Sequence, residues 1–412
     1  MRAGLIAVIA LAGCNQLLGV SDPYLQDAGL GSSPGGGGGD DAPIRGPGDA
    51  AIPGDGAPCV VPSPFSYPVS NISPCDLPAG TFDLMISGTP TIDTDAGTLG
   101  DEDDSTPLPG MAKLAQADGG PQVLVVSVRS LKVTAGAKLT VSGRRGLVIV
   151  AATDVQIDGQ ILANAVTSFA NFTSPPGARS AAQCGGSAGG AGAGNSTTSG
   201  GSGGGGFGSA GGAGGSSQSS NAGGSGGAAD GNVMLRPLLG GCPSASTEAD
   251  GVFGPTAGGA IQISAGGQIG ITNVISVSGG GGRSLTADDE PAAGGGSGGG
   301  LLLEAPTVSL GLAAALTANG GGGADASDTI PACWGSDGST NTAVVAVGGQ
   351  CSGGQDTSGG AGAAGSTPAH GGDAGTRGTG GGGGAGRIAI HAHTFTPSSQ
   401  AIMSPAPHVE TF

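Results

Sequence analysis

The chain has 412 residues, of which 92 are Gly, only 3 % are aromatic, and the formal net charge is −17. So few rings exclude an ordinary globular core, which takes much of its apolar area from them. Thirty acidic against 13 basic side chains exclude nucleic acid and anionic headgroups as partners, since both would be repelled.

In chain order, the first element is a targeting segment. Arg2 gives a charged start, and Leu5 to Leu11 is an apolar run too short to span a bilayer. It ends in Leu11-Ala12-Gly13-Cys14, which resembles a bacterial lipobox. The resemblance implies that residues 1–13 are removed and that Cys14 is lipidated, so the partner it predicts is a membrane, reached through the lipid. Asn15, rather than Asp, after the Cys implies the outer membrane. Residues 14–58 are rich in Gly, Pro, Asp and Ser and read as a disordered tether. Fully extended it reaches about 140 Å; as a coil it spans roughly 35–40 Å.

Residues 59–120 read as an N-terminal cap. Thr81-Phe82-Asp83-Leu84-Met85-Ile86 and Thr91-Ile92-Asp93-Thr94 alternate as strands do, and Asp101-Glu102-Asp103-Asp104 follows in a predicted loop. From 121 onward one pattern recurs: a short alternating strand, a small residue, then two more alternating pairs. The expected inward residues of the first copy are Leu124, Val126, Val128, Leu131, Val133, Leu139 and Val141. Those of the second are Val148, Val150, Ala152, Val155, Ile157, Ile161 and Ala163. Between these two copies the shift is 24 residues at the start and 22 at the end, with Gly136 and Gly159 at corners. Further copies are Ile261 to Val277, Leu301 to Ala318, and Ile388 to Phe395, the last fading into a Pro-rich tail. The predicted fold is all-β: a right-handed parallel β-helix, or solenoid, of about five coils over 121–412.

Long Gly-rich insertions interrupt it at 166–258, 279–299 and 320–386, each leaving from the same point of the coil. Three states are open to them: disordered linker, extended segments packed side by side, or backbone lying against the coils. Residues 185–192 keep no Gly-x-x period, which excludes collagen and argues against the second state.

Beyond Cys14, six cysteines remain, an even number that suits disulfides in an exported chain. Spacing alone leaves 15 pairings. Because each neighbouring pair falls inside one segment between coil elements, the expected pairs are Cys59–Cys75, Cys184–Cys242 and Cys333–Cys351. No C-x-x-C occurs, so a Cys metal site is not expected.

Candidate chemistry is sparse. G-x-S-x-G occurs at Ser187, Ser202, Ser225 and Ser297, but this Gly content makes the match nearly free, and the strand–turn–helix setting is missing. No Gly-Lys pair exists, so no nucleotide P-loop is expected. His391 and His393 share a predicted outer strand face and could share a metal, with only His370 and His408 left as further ligands; solvent-facing imidazoles are the simpler reading. Asp101–Asp104 and Asp288-Asp289-Glu290 leave weak Ca²⁺ binding open, with solvated charge the simpler reading; no other cofactor is expected. Asp154 and Asp158 could serve a sugar-cleaving β-helix. The equivalent positions in other coils are Gly267, Thr272, Thr307 and Gly311, so no carboxylate stack forms, and no catalytic residue is predicted.

Lipobox, acidic tether, Cys-bearing cap and Gly-Gly-x-Ile-x-Ile-x-Ala coils together resemble glycine-rich β-solenoid lipoproteins of Gram-negative cell surfaces. That resemblance implies no activity. The expected function is a non-catalytic cell-surface lipoprotein, structural or adhesive, that displays Gly-rich loops and meets surface glycans or matrix. The alternatives are a polysaccharide-binding or polysaccharide-degrading β-helix, and a cation-dependent matrix component.

Overall fold

The computed structural model describes residues 64–101, 104–166, 175–194, 199–245, 256–283, 292–326, 333–351 and 357–412. All belong to one compact unit, Cys59–Phe412. The unit is mostly strand with almost no helix, and its strands form three sheets.

The first strands are β1 (Asp83–Ile86), β2 (Thr91–Asp93), β3 (Thr98–Asp101), β4 (Asp104–Pro107) and β5 (Met111–Leu114). Then come five passes of three strands each. They are β6 (Val123–Val128), β7 (Ser130–Val133) and β8 (Lys138–Ser142); β9 (Gly146–Ala151), β10 (Val155–Ile157) and β11 (Gln160–Leu162); and β12 (Ala260–Ala265), β13 (Gln268–Ile271) and β14 (Val274–Ser276). The last two passes are β15 (Gly300–Glu304), β16 (Thr307–Leu310) and β17 (Ala315–Thr317), then β18 (Arg387–His391), β19 (Thr394–Pro397) and β20 (Ile402–Ser404), with β21 (His408–Glu410) starting another. Sheet A runs β1-β7-β10-β13-β16-β19, sheet B runs β20-β17-β14-β11-β8-β2-β3-β4, and sheet C runs β21-β18-β15-β12-β9-β6-β5. From β6 on, each strand pairs in parallel with the strand three places later.

Register makes the core. Leu124, Leu147, Ile261, Leu301 and Ile388 face one another in successive layers of sheet C. All five sit in one buried cluster with residues from sheets A and B. Layers separated by about 4.8 Å let each aliphatic residue pack on its equivalent above and below, so no large ring is needed. The small residues Ala151, Ala265, Ala305 and Ala392 belong to the same cluster.

Two expectations are corrected. In β9 the inward residues are Leu147, Ile149 and Ala151, while Val148 and Val150 join a second cluster on the opposite face. Both faces of that strand are covered, so its apolar run carries no phase, and a one-residue slip exchanges the faces. The Pro-rich tail does not fade: it forms β19, β20 and β21 at the end of the stack. Proline is tolerated there because edge strands need their amides on one side only.

At the other end, β1 and β2 pair in parallel with β7 and β8, while β5 pairs antiparallel with β6, and β3 and β4 extend sheet B antiparallel. The outer face of sheet C is covered by residues 65–77 and by Leu235 and Leu238, which form the second cluster with Val148, Ala260, Leu302 and Ala389.

The Gly-rich stretches leave sheet B and return to sheet C at the same corner, after β11, β14 and β17. Their described residues are ordered by backbone pairing. Gly203, Gly204 and Gly205 donate to three different neighbours, Gly190, Gly212 and Gly295. Three residues on, Gly206 returns to the first neighbouring segment at Ser187, and Phe207 to the second at Ser209. Three residues per turn is the period of a polyproline II-type helix, which has no internal hydrogen bonds; here the neighbours supply them. Other segments repeat the pattern: Gly212 and Gly215 donate to Gly382 and Thr379, and Gly295 and Gly298 to Gly381 and Gly384. Of the three states the composition left open, the described residues take the packed one. The missing Gly-x-x period misled because residues 185–187 are a 3₁₀ turn, and because inner segments such as 200–206 are buried along their whole length, so that Gly fills every place there but the buried Ser202. Outer segments do keep a period: Ala210, Ala213 and Ser216, and likewise Ala222, Ser225 and Ala228, are exposed at every third place.

Cys184–Cys242 and Cys333–Cys351 are disulfides, with Cα–Cα distances of 5.9 and 5.2 Å. Closing the longer loop is worth about 4 kcal/mol on the chain-entropy model. The third expected pair includes Cys59, which lies outside the described residues, as does Cys14. The bundle is pinned to the strands at Phe207, which is fully buried. Arg179 and Arg387 place their guanidinium carbons 5.1 and 5.7 Å from its ring centroid. Arg179 also pairs with Asp230 at 2.6 Å, and this bond holds the Asp230 carboxyl below its ordinary value.

Candidate functional site

The densest polar constellation lies on the outer face of sheet C. Glu304 closes β15, where the pleat turns it away from the core. In register with it are Ser264 in the layer before and His391 in the layer after, and His391 in turn faces Glu410. Glu304 is fully buried, so its charge must be satisfied. Its carboxylate accepts from Ser70 Oγ at 2.5 Å, Ser70 N at 3.1 Å, Gln262 Nε2 at 3.0 Å and Ser264 Oγ at 2.8 Å. His391 Nδ1 lies 3.0 Å from Glu304 Oε1 and 3.2 Å from Arg236 Nη2, and Nε2 lies 3.5 Å from Glu410 Oε2. Arg236 Nε donates to Ser70 Oγ at 2.7 Å.

Around this centre the covering segment is held by further bonds. The Tyr67 hydroxyl lies 2.9 and 2.7 Å from the carbonyl oxygens of Ala265 and Glu304, which share its one proton. Burial first, and the Glu304 charge second, push the Tyr67 phenol far above its ordinary value. Asn71 donates to Leu235 O and Gln262 Oε1. Tyr67 stacks on Phe412 at 4.5 Å, and His393 meets the same ring edge-on at 4.6 Å.

The cluster contains Ser, His and Glu but not the geometry of a nucleophile with its base. Such a site needs the hydroxyl on the imidazole. Here Ser70 Oγ bonds Glu304 and Arg236 instead, and Ser70, Glu304 and His391 are all buried. What the arrangement does chemically is fasten residues 65–77 across layers three to five of sheet C.

The candidates taken from the sequence fall elsewhere. His391 is not solvent-facing as expected: it is buried by the covering segment, whose reach from 65 to 77 no local pattern announces. His393 is exposed beyond the end of β18, and His370 and His408 are exposed as well. Asp154 Oδ1 accepts from Gln268 N, while Asp158 accepts from Gln156 and Thr272; these bonds hold the Asp158 carboxyl below its ordinary value. Both carboxylates thus tie one layer of sheet A to the next. Ser187 lies in a 3₁₀ turn, Ser202 is buried in the Gly-rich bundle, Ser225 is exposed on an outer segment, and Ser297 Oγ accepts from Cys242 N. The side chains of residues 101–104 and the run at 288–290 lie outside what the structure describes. Among the described residues, no three His, Cys, Asp or Glu side chains are placed to hold a metal ion, and no helix is long and apolar enough to cross a membrane.

The Glu304 cluster was missed because its members come from five separate stretches of sequence, at Ser70, Arg236, Gln262–Ser264, Glu304 and His391. A signal existed: Gln262, Glu304 and His391 are polar residues in strands built mainly of Ile, Leu and Ala. No protein-family model, curated protein or solved structure matches the chain.

Proposed function

We propose that this chain is a lipid-anchored cell-surface protein, non-catalytic and structural or adhesive, whose body is a three-sided parallel β-solenoid. The reading rests on three sheets in which, from β6 on, each strand pairs in parallel with the third one after it. Right-handed winding follows from the strong preference of parallel crossovers for that hand. The observation that carries the functional reading is the Gly-rich bundle. Its described segments bond to one another through their backbones and return to sheet C at one corner, so these segments make a packed body and not loose display loops. Three rows of backbone pairing and two disulfides suit a part that must keep its shape outside the cell. Asp154 and Asp158 serve in this reading as ties between layers of sheet A, each accepting a bond from the next layer. The anchor is the Leu11-Ala12-Gly13-Cys14 motif, with the outer membrane as its destination.

The test is fractionation of cells producing the wild type or Cys14→Ala, followed by adhesion of each to glycan-, matrix- and cell-coated surfaces. The expected result is wild-type protein in the outer-membrane fraction, accessible to added protease, with Cys14→Ala released and adhesion reduced. Equal adhesion of producing and deletion strains on every surface would remove the adhesive reading. Membrane retention of Cys14→Ala would remove the anchor.

A further inference from the structure

We propose that the cleft where the Gly-rich bundle meets the last strands is a binding site for a neutral saccharide of one or two rings. The cleft has a volume of about 440 Å³ and lies between Gly208–Ser209, the loop 365–368 and the turn from β20 to β21. That volume is within the range of small-molecule sites.

Its walls carry two kinds of surface. Pro405, Pro407 and the exposed Val233 present apolar faces. Opposite them, the hydroxyls of Ser366 and Thr367 and the imidazole of His408 are exposed, and among the described residues none has a hydrogen-bond partner. Ser209 Oγ accepts from Ala385 N at 2.9 Å, which leaves its own proton to donate. These groups can both give and take hydrogen bonds, as sugar hydroxyls require, while a pyranose C–H face needs an apolar wall.

Charge narrows the class. The only permanently charged side chain in the lining is Arg387, and its Nε and Nη2 donate to Asp230 O at 3.0 and 2.7 Å. Two of its five N–H groups are thus taken, and its guanidinium carbon lies 5.7 Å from the Phe207 ring centroid, so this side chain is turned toward Phe207 and Asp230; a cation would find no carboxylate in the lining. A wholly apolar ligand would strand the hydroxyls and the imidazole without partners, which costs more than it gains. Glycoside cleavage uses two carboxyl groups, and the lining holds none, so the site binds and does not cut. The inference goes beyond the surface-scaffold reading and does not depend on the anchor.

The test is calorimetric titration of the purified full chain with cellobiose, maltose, lactose and N,N′-diacetylchitobiose, with glucuronic acid and glucosamine as charged comparators. At least one neutral disaccharide is expected to bind with a Kd below about 5 mM. Thr367→Val and His408→Ala should each weaken it roughly fivefold, the loss of about one hydrogen bond, and Val233→Trp should abolish it, all with unchanged melting curves. If Val233→Trp alters the melt, the other two variants decide. Absence of binding for all four disaccharides, binding indifferent to Thr367→Val and His408→Ala, or tighter binding of a charged comparator would each overturn the proposal.

Discussion

At the scale of single residues, the most constrained group is the Glu304 carboxylate. Five polar groups converge on it from the covering segment and the two neighbouring layers of sheet C, and a buried charge tolerates no lost partner. Glu304→Ala would leave Arg236 and His391 facing each other without the anion between them. It would also leave the buried donors of Ser70, Gln262 and Ser264 without their acceptor; each such group costs about 1–3 kcal/mol, so urea unfolding should show a loss of about 3 kcal/mol or more. The exposed change Asp158→Asn should cost under about 1 kcal/mol, the range of solvated surface pairs. A loss below 1 kcal/mol for Glu304→Ala would mean that residues 65–77 are held by their apolar contacts alone.

Among the elements, the strands and the Gly-rich segments obey different rules. A strand buries side chains on the core face, and its register is set by Leu, Ile and Val. A Gly-rich segment buries backbone, and its register is set by the absence of a Cβ. At Gly204 an added Cβ would fall on the Gly382 carbonyl, far inside van der Waals distance, and backbone cannot swing aside. At Gly186 an added Cβ would meet nothing within 4 Å. Gly204→Ala is therefore expected to destabilise the bundle by more than about 3 kcal/mol, the range of severe core overpacking. Gly186→Ala should be neutral or stabilise by about 0.4–1 kcal/mol through the unfolded state. Thermal melts of the two variants decide this, and equal melting points would show that the segments do not pack closely.

For the molecule as a whole, the open question of stability is how so much glycine stays ordered. Fixing each residue costs about 1–2 kcal/mol, comparable with the 0.5–1.5 kcal/mol net of one hydrogen bond. Backbone bonds alone therefore cannot carry the bundle. Its ends are already fixed by strands of sheets B and C, the Cys184–Cys242 and Cys333–Cys351 bonds shorten the free loops, and Phe207 anchors one segment between Arg179 and Arg387. Hydrogen exchange should find the amides of Gly203, Gly204 and Gly205 protected to nearly the same degree as those of β12 and β15. Exchange at the rate of an unstructured peptide would show a loose insertion.

The core of this fold was legible in the sequence because repetition states it several times. Ile261, Leu301 and Ile388 recur with the same neighbours, and a periodic aliphatic pattern in a chain nearly without rings has few ways to be buried. The inward residues of three layers and two disulfide pairs follow from that pattern and from cysteine placement. The phase of β9 was not legible, since Val148 and Val150 look the same as Leu147 and Ile149 until a second covering layer is known. Nor were the burial of His391, the convergence on Glu304, or the order of the Gly-rich stretches. Those depend on contacts between residues as far apart as Ser70 and Glu304, or Gly204 and Gly382. Local alternation reports which side of a strand is apolar, while only the assembled chain decides what comes to lie against the other side.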